Sequence, residues 1–355
     1  RLLTQRAPTR RDIMKPEFTF DLGTMLPDEL PYPWYRGREA AWLLYQRLKG
    51  PARIANLRKG PMAPLLSREP LRSVTAACGD GRLTPERLLP LADPWRTFDP
   101  DTAVNPDRAT EAAFAALCQT DVIPYVVTFA EWAATAPRAE WREQQLSRPG
   151  GNLVVQVNFP HGFEREFARW LGENTRHQTA FYCHPVRRDG PITMSWARLD
   201  LDPWGEDVLI EELQTDWLRT VQRWRKRIAQ AAGRKRAVAA ARMLKAVLAR
   251  HTPGWAEATL LAAVAVARVE LGARRVWLHQ PHGGQKLKNI RWSAPPRSLY
   301  SDLPRRFGFT PTHRAPDFLY RDRPQVVHRL RRSGRPVFWC MDFGATTESH
   351  DRRAA

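Results

Sequence analysis

The sequence predicts an α+β protein: a mixed sheet flanked by helices in the C-terminal part, preceded by a proline-rich, mainly helical region. Three observations carry this. From Asn152 onward, strand-like and helix-like runs alternate, the order expected when one sheet is covered by helices. Before that point, amphipathic runs are repeatedly stopped by Pro or Gly. The chain has 355 residues, 43% of them hydrophobic and 10% aromatic, which is enough apolar surface for a sizeable core.

In chain order, residues 1–150 read as the Pro-rich helical region. Tyr32-Pro33-Trp34-Tyr35 is expected to be extended, because a residue before Pro is pushed out of the helical region. A helix over Gly37–Leu48 places Ala40, Ala41, Leu43, Leu44 and Leu48 on one side. Shorter helices are expected at Leu65–Ala77, Pro85–Leu91 and Thr110–Cys118, with Thr84-Pro85 as a capped start. Residues 151–345 read as a second unit. Leu153–Val157 is a strand and His161–Leu171 a helix with Phe163, Phe167 and Trp170 inward. Thr179–Val186 and Ile192–Leu201 are read as a hairpin around Arg188-Asp189-Gly190-Pro191. Asp207–Trp217 is a strand, followed by a basic helical insertion at 218–250. Ala256–Leu271 is an apolar helix and Arg274–His279 a strand, expected to lie parallel to Asp207–Trp217. A short helix over Ser298–Arg306 and strands at Asp317–Tyr320 and Val337–Phe343 complete the unit, and 346–355 is a polar tail.

Composition narrows the partners. The formal net charge is +19, and an excess of that size attracts polyanions: RNA, DNA or an acidic protein. Residues 218–250 hold eleven Arg or Lys and no Asp or Glu, with Val221, Trp224, Ile228, Val238, Met243, Leu244 and Leu248 at helical spacing. Arg223, Lys226, Arg227, Lys235 and Arg236 are the expected nucleic-acid contacts, with Trp217, Trp224 and Trp292 as stacking partners. The longest apolar run, Leu260–Ala267, is too short to cross a bilayer, and Arg1–Pro16 shows no apolar segment of a secretory signal. Cys78, Cys118, Cys183 and Cys340 are far apart, which indicates neither a zinc site nor a disulfide scaffold and suits a cytoplasmic protein.

Residues Ser298-Leu299-Tyr300-Ser301-Asp302-Leu303-Pro304-Arg305-Arg306-Phe307-Gly308-Phe309 resemble the "LY..LGF" ending of the GNAT-type N-acyltransferase superfamily. The order of elements over 152–343 is similar to that family's core. The resemblance implies a GNAT-like fold and acetyl-CoA or another acyl-CoA as donor. It places the pantetheine arm along the strand at Leu213 and Tyr300 as the acid for the departing thiolate. The family's phosphate loop, Q/R-x-x-G-x-G/A, is approached by Gln230-Ala231-Ala232-Gly233-Arg234-Lys235, where Lys235 stands at the final small position. Acyl transfer to an amine also needs a base, for which Glu211 or Glu212 is the best-placed carboxylate. Pairing with arginine is the alternative role for both.

Two further readings stay open. A non-catalytic nucleic-acid-binding or assembly protein on the same fold would also explain the charge. A Mg-dependent nuclease would use Glu212, Gln214 and Asp216 on one strand face with Asp200 or Asp202, although the lysine usual two residues after the Glu is Gln214 here. Beyond the strand Arg274–His279, His279-Gln280-Pro281-His282-Gly283-Gly284-Gln285-Lys286 is expected to be a loop at a ligand-binding sheet end, with His279 a hydrogen-bonding residue and Gly283-Gly284 able to meet a phosphate.

Overall fold

The computed structural model describes residues 26–344 except 61, 97–107, 110, 113–114, 116–120, 134–144, 173–180, 182, 203–205, 231–234, 291–295 and 297. Its strands are β1 (Glu29–Trp34), β2 (Ala52–Arg53), β3 (Arg82–Leu83), β4 (Ile123–Trp132), β5 (Asn152–Asn158), β6 (Thr193–Leu201), β7 (Asp207–Gln214), β8 (Arg275–His279), β9 (Thr310–Thr312) and β10 (Phe338–Asp342). The principal helices are α1 (Arg38–Arg47), α2 (Pro85–Ala92), α3 (Phe163–Leu171), α4 (Asp216–Gln230), α5 (Lys235–His251), α6 (Trp255–Ala265), α7 (Pro281–Leu287), α8 (Asp317–Asp322) and α9 (Pro324–Arg331). Eight strands form one mixed sheet in the order β1-β4-β5-β6-β7-β8-β10-β9, and β2 pairs with β3 alone. Every pair in the large sheet is antiparallel except β7–β8.

The α+β class and the parallel β7–β8 pair, joined through α4, α5 and α6, follow the sequence expectation. The helix α6 is apolar on all sides, which fits burial beneath the sheet. With the inward residues of β5, β6 and β7 and the N-terminal helices it builds the main core, around Leu44, Val155, Leu199 and Leu261. The opposite face carries a second core of Leu209, Trp277, Leu287, Phe318, Leu330 and Phe338 under α7, α8 and α9. A sheet covered on both faces explains why β5 and β6 are buried along their whole length.

Four sequence expectations are corrected. First, the mainly helical N-terminal region contributes β1 and β4 to the large sheet, so the sheet runs across the expected boundary at 150/151. Pro31 and Pro33 are tolerated in β1 because it is an edge strand, where a missing N–H breaks no ladder. Second, Thr179–Val186 forms no hairpin with β6: β5 and β6 pair directly, and described residues 183–186 are turns. The turn presents the Pro185 carbonyl to Gln156 Nε2 at 2.9 Å, closing a buried polar set in which Asn158 bonds Thr128 and Thr193 at 2.8 Å each. Third, Asp317–Tyr320 is helix α8, started after Pro316, with Asp317 in its first turn. Fourth, Leu65–Ala77 is two helices, Ala63–Leu66 and Leu71–Ala77, with Pro70 between them. The expected helix at 110–118 and the side chain of Trp170 lie outside the described residues.

Candidate functional site

The parallel ladder between β7 and β8 is short. It pairs Asp207 with Arg275 and ends with Ile210 opposite Leu278. One residue later β7 carries a bulge against β6: Leu199 faces Ile210 and Arg198 faces Glu212, so Glu211 is the extra residue. Val208, Ile210 and Leu213 therefore all point into the main core, and Glu211 and Glu212 both turn to the second face. The spacing of two and then three between those apolar residues departs from the strict alternation of a regular strand and marks the bulge. The strand ends at Gln214, because Thr215 caps α4 by accepting from Leu218 N at 3.4 Å.

Beyond Ile210 and Leu278 a cleft of about 600 Å³ opens, lined by both strand ends, α4, the start of α6, α7 and the segment around Tyr300. The backbone N–H of Leu213 donates to the Tyr300 hydroxyl at 3.2 Å. Tyr300 lies in a π-helical turn, Ser298–Asp302, whose carbonyl at Tyr300 accepts from Trp339 Nε1 at 2.8 Å. Burial pushes the phenol well above the usual tyrosine range, so it is a protonated donor at neutral pH.

Glu211 occupies the buried floor. Its carboxylate accepts from Ser147 N at 3.0 Å and Ser147 Oγ at 2.9 Å, lies 2.9 Å from His279 Nε2, and is 3.2 Å from Lys288 Nζ. Lys288 also donates to the Glu211 carbonyl. Burial alone would raise this carboxyl, but Lys288, His279 and Arg198 hold it well below the ordinary carboxylate range. Burial lowers His279 and Lys288, and the Glu211 carboxylate opposes that in each. His279 Nδ1 is buried with no hydrogen-bond partner among the described residues. Glu211 therefore organises the floor and is a poor base.

Glu212 lines the cleft but is paired with Arg198 at 2.5 Å. Next to the lining residues Gln214 and Arg219, Asp216 accepts from His184 Nδ1 at 2.6 Å and from Gln214 Nε2 at 2.7 Å, and pairs with Arg219 at 2.8 Å. His184, overlooked in the sequence, is one-third exposed there. Its signal was a histidine next to Pro185, a pair that favours a turn over a strand.

Compared with known proteins, the chain matches no family model, no curated protein and no solved structure.

Leu213, Glu211, Glu212 and Tyr300 are thus brought together at one cleft, and the backbone of Gln230 and Lys235, expected to hold phosphate, lies away from it. Gln230 ends α4, about 20 Å along the helix from Asp216, and Lys235 begins α5. Gly233 and Arg234 lie outside the described residues, as do the side chains of Gln230, Lys235 and Arg236. The helix that follows β7 starts with a carboxylate, Asp216, where a phosphate would need bare amides.

The nuclease arrangement does not assemble. Asp200 is held by Arg148 at 2.9 Å, Asp202 by Arg321 at 3.0 Å, and Asp216 stands on a helix; no metal-holding group of three acidic, His or Cys residues occurs among the described residues. The expected loop after β8 is helix α7. Gly283 is required by close packing, since a Cβ there would lie 2.4 Å from Val337 Cγ1 and 2.6 Å from its carbonyl oxygen. Gly283 thus serves the approach of α7 to the residue preceding β10, and Gly284 its approach to His279, where a Cβ would lie 3.1 Å from His279 Cβ.

Proposed function

We propose that the cleft is an acyl-transfer site of a GNAT-like N-acyltransferase, taking a thioester donor such as an acyl-CoA. The observation that carries this reading is the Leu213 N–H, which bonds the hydroxyl of Tyr300 beyond the end of the β7–β8 ladder. A thioester carbonyl oxygen can take that N–H in place of the phenol oxygen, which stabilises the negative charge that develops as an amine attacks. The amine nitrogen forms a bond to the carbonyl carbon, the C–S bond breaks, and the departing thiolate takes the Tyr300 proton. His184, whose Nδ1 is held by Asp216 beside the lining residue Gln214, is the group proposed to receive the ammonium proton. The cationic hairpin of α4 and α5 supports a polyanionic partner in the same reading.

Because Asp216 stands at the start of α4, the arm of the donor, and not its phosphates, is what the cleft is shaped to hold. Titration calorimetry with acetyl-CoA and with acetyl-pantetheine tests this. Comparable heats from both ligands are expected, with Tyr300→Phe slowing acyl transfer to an amine more than it weakens binding. No heat and no thermal shift from either ligand at millimolar concentration, with folded protein, overturns the reading.

A further inference from the structure

The face of α4 that meets the cleft continues away from it as an uninterrupted cationic track. Arg219 and Gln222 line the cleft. At 100° per residue, Arg223, Lys226 and Arg227 follow on the same side of the helix, and all three are exposed. None of the three has an ion-pair partner among the described residues. The antiparallel neighbour α5 adds the exposed and likewise unpaired Arg242 and Lys245. Between Asp216 and Glu257 the sequence contains no acidic residue. A solvated helix face normally mixes both signs to limit repulsion, so a one-sign face that starts at a cleft suits a polyanion reaching that cleft.

Two observations narrow the polyanion to a nucleic-acid strand entering by its end. The cleft is large enough for a nucleoside. Gln145 and Gln222 on its walls offer amides, which pair a donor with an acceptor as the edges of bases require. Its phosphates, in turn, are excluded from the start of α4 by Asp216 and have the side of the helix available instead. Aromatic stacking along the hairpin is not part of this surface: Trp217 is buried among Phe159, Phe163 and Phe167, and Trp224 packs against the core.

We propose that the cationic face of α4 and α5 binds the phosphate backbone of a single nucleic-acid strand whose terminus enters the cleft. This binding does not rest on the acyl-transfer reading.

Fluorescence anisotropy with labelled 12-nucleotide RNA and DNA strands, linear and circularised, tests the proposal at several salt concentrations. Linear strands are expected to bind with a steep salt dependence and at least about tenfold more tightly than circular ones, and the RNA and DNA arms identify the sugar. Arg223→Gln/Lys226→Gln/Arg227→Gln should weaken binding about tenfold or more and reduce the log–log salt slope by about 2, at roughly 0.7 per phosphate lost. These positions are exposed, and an unchanged thermal unfolding profile verifies that the variant is folded. Absence of binding at 50 mM salt, affinity indifferent to the triple change, or displacement by polyglutamate as effective as by unlabelled strand overturns the nucleic-acid track. Equal affinity for circular and linear strands overturns entry by the terminus. Strand binding without any thioester binding retains the track and removes the acyl-transfer reading alone.

Discussion

Replacing Lys288 by Met should expose how the floor of the cleft is held. The ammonium lies 3.2 Å from a Glu211 oxygen, and the two side chains are 6% and 0% exposed, so both ions are out of water. Removing one partner of such a pair costs about 3–5 kcal/mol, because the remaining charge stays buried. Glu211 would keep its bonds to Ser147 and His279, which places the loss near the lower end, about 3 kcal/mol. The deficit has a definite pH sign. In the native protein Glu211 sits below its unfolded value, so its contribution is full above the ordinary carboxylate range and fades as pH falls through and below it. In Lys288→Met the carboxyl is raised, so protonation relieves it and the gap to the parent protein narrows from pH 7 toward pH 5. Urea unfolding at the two pH values measures this. The double variant Lys288→Met/Glu211→Gln should be more stable than the sum of the single changes predicts, with a coupling of at least about 1 kcal/mol. A loss below about 1 kcal/mol, or a deficit independent of pH, would refute the view that Glu211 is a desolvated carboxylate dependent on Lys288.

His251 supplies a second pH signal. Burial and the Arg250 charge push it down to about 4, while its Nδ1 lies 2.6 Å from the Tyr125 hydroxyl. The unfolded chain then binds the extra proton first, so stability from this group is full above about pH 6.5 and is lost as pH falls toward 4, by up to about 3 kcal/mol. His251→Gln should flatten that part of a stability-versus-pH curve. Gly283→Ala should cost about 2–3 kcal/mol, because the new methyl meets the backbone and side chain of Val337, and thermal unfolding of the purified variant measures it.

Much of the sheet was legible because its strands carry apolar runs bounded by turns. Asn152–Asn158 and Phe338–Asp342 are β-rich segments, and Trp255–Ala265, apolar except for Glu257 and Thr259, reads as a buried helix. The edge strand β1 was legible only as extended chain: its two prolines hide a strand that pairs on one side. Asp317–Asp322 was misread because a short run such as Phe318-Leu319-Tyr320 fits strand or helix equally, and Asp207 decides it by accepting from Asp317 N at 3.4 Å. Glu211, Glu212, Leu213 and Tyr300, expected together from the sequence, line one cleft, and the pairing of the two carboxylates was not legible. Those roles depend on Lys288, Arg198 and Ser147, which approach from 77, 14 and 64 residues away, and sequence spacing records no such approach.

The bulge at Glu211 ties the fold to the cleft. With strict alternation along β7, Glu212 would follow Val208 and Ile210 into the main core, where an ionised side chain lacks a partner and is costly to bury. The extra residue returns Leu213 to that core and gives both carboxylates to the face where Lys288 and Arg198 stand. A bulge also bends its strand, and bending β7 at this point fits the end of its ladder with β8 at Ile210 and Leu278. The Leu213 N–H then needs an acceptor from elsewhere, and the Tyr300 hydroxyl provides it. One inserted residue thus keeps charge out of the apolar core, opens the parallel pair and leaves a backbone donor beside a protonated phenol.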